Sequence, residues 1–125
     1  MLHRDGQDTA ERALRLPEIV ALPAEIDIGN CEVVGHELLA ALRPGVSVII
    51  ADMSATQFAD SSGIRHLIIA HNQAVCTGAE LRIVISSPAV QRVLHLVGAD
   101  QMLHLYPDMT SALTGAPQAG QPGGL

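Results

Sequence analysis

The chain has 125 residues and 48% hydrophobic residues, enough for one domain with a single core, but only one Phe, one Tyr and no Trp contribute to that fraction. Seven Arg and no Lys against thirteen Asp and Glu give a net charge of −6, which argues against direct nucleic-acid binding and leaves protein partners and small ligands open. The core must come from Leu, Ile, Val and Ala, a composition suited to a small sheet packed by helices.

Residues 1–11 are polar, acidic and without periodicity, with no apolar stretch of a signal peptide, and are expected to be a flexible segment. RALRL (12–16) and EIVALPA (18–24) read as two short strands. They lie too close for a helix between them and are expected to pair antiparallel, and Pro23 makes the second a poor central strand. Asn30 is placed as the N-cap of a helix in which Val34, Leu38 and Ala41 or Leu42 share a face, stopped by Pro44-Gly45. VSVIIADM (46–53) is a continuous apolar run, the pattern of a strand covered on both faces.

A polar knot, QFADSSG (57–63), follows and opens a second helix with Ile64, Leu67, Ile68, His71 and Val75 on one face and Gly78 at its end. LRIVISS (81–87) is another buried strand. Ser87 and Pro88 form a cap and first-turn proline opening a third helix. MLHLY (102–106) reads as a last strand and PDMTSALTG (107–115) as a short helix, before the Gly, Pro and Gln tail of 115–125, expected to be disordered. Strands separated by helices predict parallel crossovers, so the expected fold is a single α/β domain over 12–114. Its sheet is mixed, of four to five strands, with helices mostly on one face.

Chemistry in such a sheet collects where strands hand over to helices at their carboxyl ends, and the serine knot occupies one such place. Its simplest role is structural: Asp60, Ser61 or Ser62 caps the helix, and Gly63 permits tight packing against the sheet. Its other role is a switch. A serine in the first turn faces the positive end of the helix dipole, and phosphorylation there adds a charge of about −1.5 to −2 beside Asp60.

The pattern D-x-S-x-x-x-F-x-D-S-S-G-I, built here from Asp52, Ser54, Phe58, Asp60, Ser61, Ser62, Gly63 and Ile64, resembles the signature of STAS domains, shared by sulfate transporters and anti-sigma factor antagonists. LPAEIDIGN (22–30) is similar to that family's first block, with Ala24 where Gly is usual and Glu25, Ile26 and Asp27 matching. The resemblance implies a bacterial anti-sigma factor antagonist; a cytoplasmic location is expected from the polar start and the lack of a membrane-length apolar run. In its unmodified form such a protein binds an anti-sigma factor that is also a serine kinase, and so frees a sigma factor. Phosphate on the serine after the aspartate, here Ser61, abolishes binding, and a phosphatase restores it.

Asp27, Asp52, Ser54, Phe58, Asp60, Ser62, Gly63 and Arg65 are the expected supporting and partner-binding residues. Asp27 should reach the same rim as Ser61. Arg65, where the family commonly has small or apolar residues, sits beside a phosphate, pairs with the partner or is simply solvated, the last being favoured. Phe58 is read first as a core plug behind the loop and second as a partner contact.

Other classes are weaker. The knot lacks the first glycine of a G-x-S-x-G elbow, and His66 is read as solvent-facing, so a serine hydrolase is not favoured and the protein is read as no enzyme. The six histidines show no H-x-x-x-H pair, with His95 and His104 isolated, and no P-loop is possible without lysine, so no metal or cofactor is expected. Cys31 and Cys76 form no C-x-x-C and are read as buried, reduced residues. No apolar run reaches the roughly 20 residues of a membrane span. A STAS scaffold in a sensory complex and a small-ligand-binding domain stay open as alternatives, and a monomer or weak dimer is expected.

Overall fold

The computed structural model describes residues 17–115. The strand expected at 12–16, with its antiparallel pairing, lies outside them, as do residues 1–11 and most of the C-terminal tail. Within them, four strands form one sheet: β1 (Glu18–Ala21), β3 (Val48–Met53), β5 (Glu80–Ile85) and β6 (His104–Tyr106), in the order β1-β3-β5-β6. Every ladder in it is parallel. The crossovers carry helices α1 (Cys31–Ala40), α2 (Ser61–Cys76) and α3 (Pro88–Leu96), and a 3-10 turn (Ala99–Gln101) leads into β6. A last helix, α4 (Met109–Thr114), follows β6.

Alternation along the strands divides the core into two layers. Ile49, Ala51 and Met53 of β3 and Leu81, Ile83 and Ile85 of β5 pack with Val34 and Leu38 of α1, Ile64, Leu67, Ala70 and Ala74 of α2, and Val90 and Leu94 of α3. The opposite face is smaller: Ile50, Val84 and Tyr106 meet Ala112 and Met109 of α4. Three helices therefore cover one face and one short helix part of the other. Arg82 fastens that short helix, donating from Nη1 to the Ala112 carbonyl at 2.8 Å while Nη2 meets Glu80 at 3.2 Å.

The helix boundaries follow local chemistry. Asp60, Ser87 and Asp108 each accept a backbone N–H three residues on, at Gly63, Val90 and Ser111. Gly78 adopts φ +79 just past α2, a left-handed position that any side chain would strain. Asn30 stands at the N-cap of α1, but its side chain turns backward instead of capping.

Several expectations change. The buried stripe of α2 is Gly63, Ile64, Leu67, Ala70 and Ala74, which leaves Val75 exposed. The stripe is centred near Leu67 and Ala74, and at 3.6 residues per turn Val75 lies about 100° farther round the helix. Cys31 is buried, whereas Cys76 ends α2 on the surface; both are free thiols. His66 is half-buried over Gly35 of α1. The other two histidines are not isolated: His95 Nδ1 lies 2.8 Å from Asp100, and the His104 ring packs on His71 with centroids 5.6 Å apart. No group of three or more His, Cys, Asp or Glu among the described residues could hold a metal ion. No helix among them is long and apolar enough to cross a membrane.

Candidate functional site

Beyond the main sheet, Pro23 ends the first strand segment and the chain restarts as β2 (Glu25–Ile26), which pairs in parallel with β4 (Phe58–Ala59). This two-stranded ladder was not anticipated from sequence, because two residues carry no periodicity. The segment before β4 is tied to it by long-range bonds. The Thr56 hydroxyl, fully buried, donates to the Pro23 carbonyl at 2.8 Å, and the Gln57 N–H donates to the Ala24 carbonyl at 2.8 Å.

The ladder register pairs Glu25 with Phe58 and Ile26 with Ala59, so Asp27 and Asp60 leave the two strands side by side. Ile26 and Ala59 point into the core, and Glu25 and Phe58 point outward. The Asp60 N–H donates to the Ile26 carbonyl at 3.1 Å. Asp27 therefore leaves β2 beside Asp60, the residue before Ser61. It organises the turn into α1: Asp27 Oδ1 accepts from the Gly29 N–H at 2.9 Å, and its own N–H donates to Asn30 Oδ1 at 2.9 Å. The Asn30 amide then donates to the Glu25 carbonyl at 2.8 Å.

At the start of α2 the four residues of the knot have separate roles. The Asp60 carboxylate accepts from the Ser62 hydroxyl at 2.8 Å and from the Gly63 N–H at 3.1 Å. The Gly63 N–H, followed by the Ser62 hydroxyl, holds the Asp60 carboxyl below its usual range, with the backbone N–H groups of Ser62 and Ile28 adding to the same effect. Asp60 is thus a fixed anion. Ser61 is the first residue of the helix, is exposed, and makes no side-chain hydrogen bond with any described residue. Gly63 has no room for a side chain, since a Cβ there would lie 2.6 Å from Cγ2 of Ile26.

Asp52 and Ser54 form their own turn at the end of β3, where the Ser54 N–H donates to Asp52 Oδ1 at 3.0 Å; no hydrogen bond joins them to Ser61. Arg65, one helical turn beyond Ser61, is exposed and has no ion pair with a described residue. Phe58 does not plug the core. It is 51% exposed, because no element among the described residues packs over the outward side of the β2–β4 ladder. Beside it lies a residue the sequence reading passed over: Ile28, 78% exposed, in the turn whose N–H reaches Asp60. Its signal was an isoleucine inside the turn-forming run D-I-G-N, where no periodic face could bury it.

The profile of the STAS domain family matches residues 12–112. Among known proteins, the anti-sigma-F factor antagonist RsfB of Mycobacterium tuberculosis is 22% identical over 97 residues, covering 78% of this chain and 79% of its own. The crystal structure of an anti-sigma factor antagonist from Mycobacterium paratuberculosis superposes with a TM-score of 0.70 at 27% identity, over 78% of this chain and 82% of that one. The anti-sigma factor antagonist SpoIIAA, solved in its unphosphorylated form, superposes with a TM-score of 0.64 at 17% identity, over 84% and 95%. At that identity the last likeness is one of fold.

Proposed function

The chain belongs to the STAS domain family, and from that premise we propose that it is an anti-sigma factor antagonist switched by phosphorylation of Ser61. In its unmodified form it binds an anti-sigma factor that carries serine kinase activity, and the sigma factor is released. In the modified form binding is lost until a phosphatase removes the phosphate. The protein itself performs no catalysis and acts in the cytoplasm.

One observation carries the assignment. Of the hydroxyls in the knot, Ser62 is committed to Asp60 while Ser61 is exposed and uncommitted at the first position of α2. The Ser61 Oγ can attack the γ-phosphorus of ATP held by the kinase, losing its proton as the bond to the β-phosphate oxygen breaks and ADP leaves. Around it, Phe58 and Ile28 offer apolar contact area, and Asp27 and Asp60 fix a negative rim. A dianion placed at the centre of that surface would have to be desolvated by a partner, so affinity falls with no need for refolding. The names of the relatives support an anti-sigma factor as the partner.

Capture of the anti-sigma factor from the native host by the Ser61→Ala protein, followed by incubation of that partner with ATP and the unsubstituted chain, tests the reading. One phosphate mapped to Ser61 by mass spectrometry is the expected result. Modification confined to Ser54, Thr56 or Ser62 would overturn the assignment of Ser61. Ser61→Ala should keep binding in the presence of ATP and Ser61→Asp should bind poorly, and equal affinity of the two would remove the switch.

A further inference from the structure

A phosphate on Ser61 draws compensating charge, and the usual source at that position is already shared with Asp60. Free N–H groups at the start of a helix ordinarily receive an anion. Here Asp60 has engaged two of them: its carboxylate accepts from the Gly63 N–H at 3.1 Å, and the Ser62 N–H turns toward it, joined by the Ile28 N–H from the neighbouring turn. The Ser62 hydroxyl, the nearest side-chain donor, is bound to the same carboxylate at 2.8 Å. A phosphoryl group on Ser61 would therefore meet a fixed negative charge at a helix end whose donors are already partly engaged. Asp27, brought alongside by the β2–β4 register, adds a second carboxylate to the same rim.

An exposed cation stands on the helix itself. Ser61 and Arg65 are both exposed and four residues apart, which places them on one face with Cβ atoms about 5–6 Å apart. The next outward positions on that stripe, Ile69 and Asn72, bring no carboxylate to compete. Among the described residues, Arg43 is paired with Glu18 and Arg82 with Glu80, whereas Arg65 has no ion pair. We infer that Arg65 is the internal counter-ion of the Ser61 phosphate: its guanidinium folds back one turn to hold the phosphoryl oxygens, beside the partly engaged helix end. The inference rests on the reading of Ser61 as the modified residue. Its consequence is that one modification alters the surface twice, adding a dianion and withdrawing the Arg65 cation from the partner.

The test places phosphoserine at position 61 during translation, so that its outcome does not depend on any kinase choosing Ser61. The second ionisation of the phosphate, ordinarily near about pH 6, is followed by phosphorus NMR at low salt. Arg65→Gln should raise that value by about 0.15–0.4 units, the scale of an exposed i,i+4 ion pair. Arg65→Lys should recover most of the shift, and roughly 1 M salt should erase the difference. Arg92→Gln, which removes an unpaired cation from α3, should leave the value unchanged. An identical ionisation in the Arg65→Gln phosphoprotein, or an equal rise in Arg92→Gln, overturns the inference. Kinase mapping to a different residue would instead overturn the identity of the acceptor, so the two failures are separable.

Discussion

A methyl group added at Gly63 would lie 2.6 Å from Cγ2 of Ile26 and 3.4 Å from the Ile26 carbonyl oxygen. Ile26 is fully buried and its carbonyl accepts the Asp60 N–H, so neither atom can retreat cheaply. Gly63→Ala is therefore expected to destabilise the fold by about 1–3 kcal/mol despite the better helix propensity of alanine, read as a lower urea midpoint. Gly35 gives the contrast. A Cβ there meets the His66 ring at 2.5 Å, but a half-buried side chain can rotate away, so Gly35→Ala should cost less. A midpoint for Gly63→Ala equal to that of the parent protein would show that β2 yields to the helix. The need for a glycine after the serines was legible in the sequence. What it packs against was not, because Ile26 lies 37 positions away on a strand too short to leave a pattern.

Helix α2 links the switch to the opposite edge of the sheet, and its far half contains a titratable contact. The His71 ring packs against that of His104 on β6, with its Nδ1 buried and unpartnered. Burial, and then the neighbouring His104, lower the His71 pKa from its ordinary 6.5. A folded-state pKa below the unfolded one means that the unfolded chain takes up the proton first. The contact contributes its full stability above pH 6.5, and that contribution is lost as the pH falls from 6.5 through the lowered value. The urea midpoint should therefore fall between pH 7.5 and pH 5.5, and His71→Leu should flatten this dependence. An unchanged slope in the variant would place the acid sensitivity elsewhere. The element itself was easy to read in sequence, since an apolar stripe, an acidic cap and a trailing glycine all agree. The exact stripe was not: Val75 fits the spacing yet is exposed, because the buried face is centred on Leu67 and Ala74. Asn30 stands at the N-cap of α1 as read, but its side chain serves the turn from β2 in preference to the helix.

For the molecule as a whole, the question is whether Phe58 belongs to the fold or to the partner. Sequence made it a plug, since the only Phe in the chain precedes a buried helix and a core otherwise built of aliphatic residues has use for a large side chain. The register of β2 with β4 reverses that: Ala59 takes the inward position and Phe58 the outward one, opposite Glu25. Its neighbour in the rim, Ile28, is 78% exposed, and no described element covers either side chain. A buried Phe→Ala change costs about 3–5 kcal/mol, whereas a surface substitution lies within about 0.5 kcal/mol. Phe58→Ala should accordingly unfold within about 1 kcal/mol of the parent in urea. In titrations of the captured anti-sigma factor, the same substitution should weaken binding about tenfold or more, as loss of an aromatic anchor does. Ile28→Ala should act in the same direction with a smaller loss. A large loss of stability with unchanged partner affinity would return Phe58 to the core and leave Ser61 without its apolar surround. The reverse pattern would mean that the chain carries its docking surface on the smallest strand pair of the fold, held in register by Thr56, Asp27 and Asn30, with the modified serine at its edge.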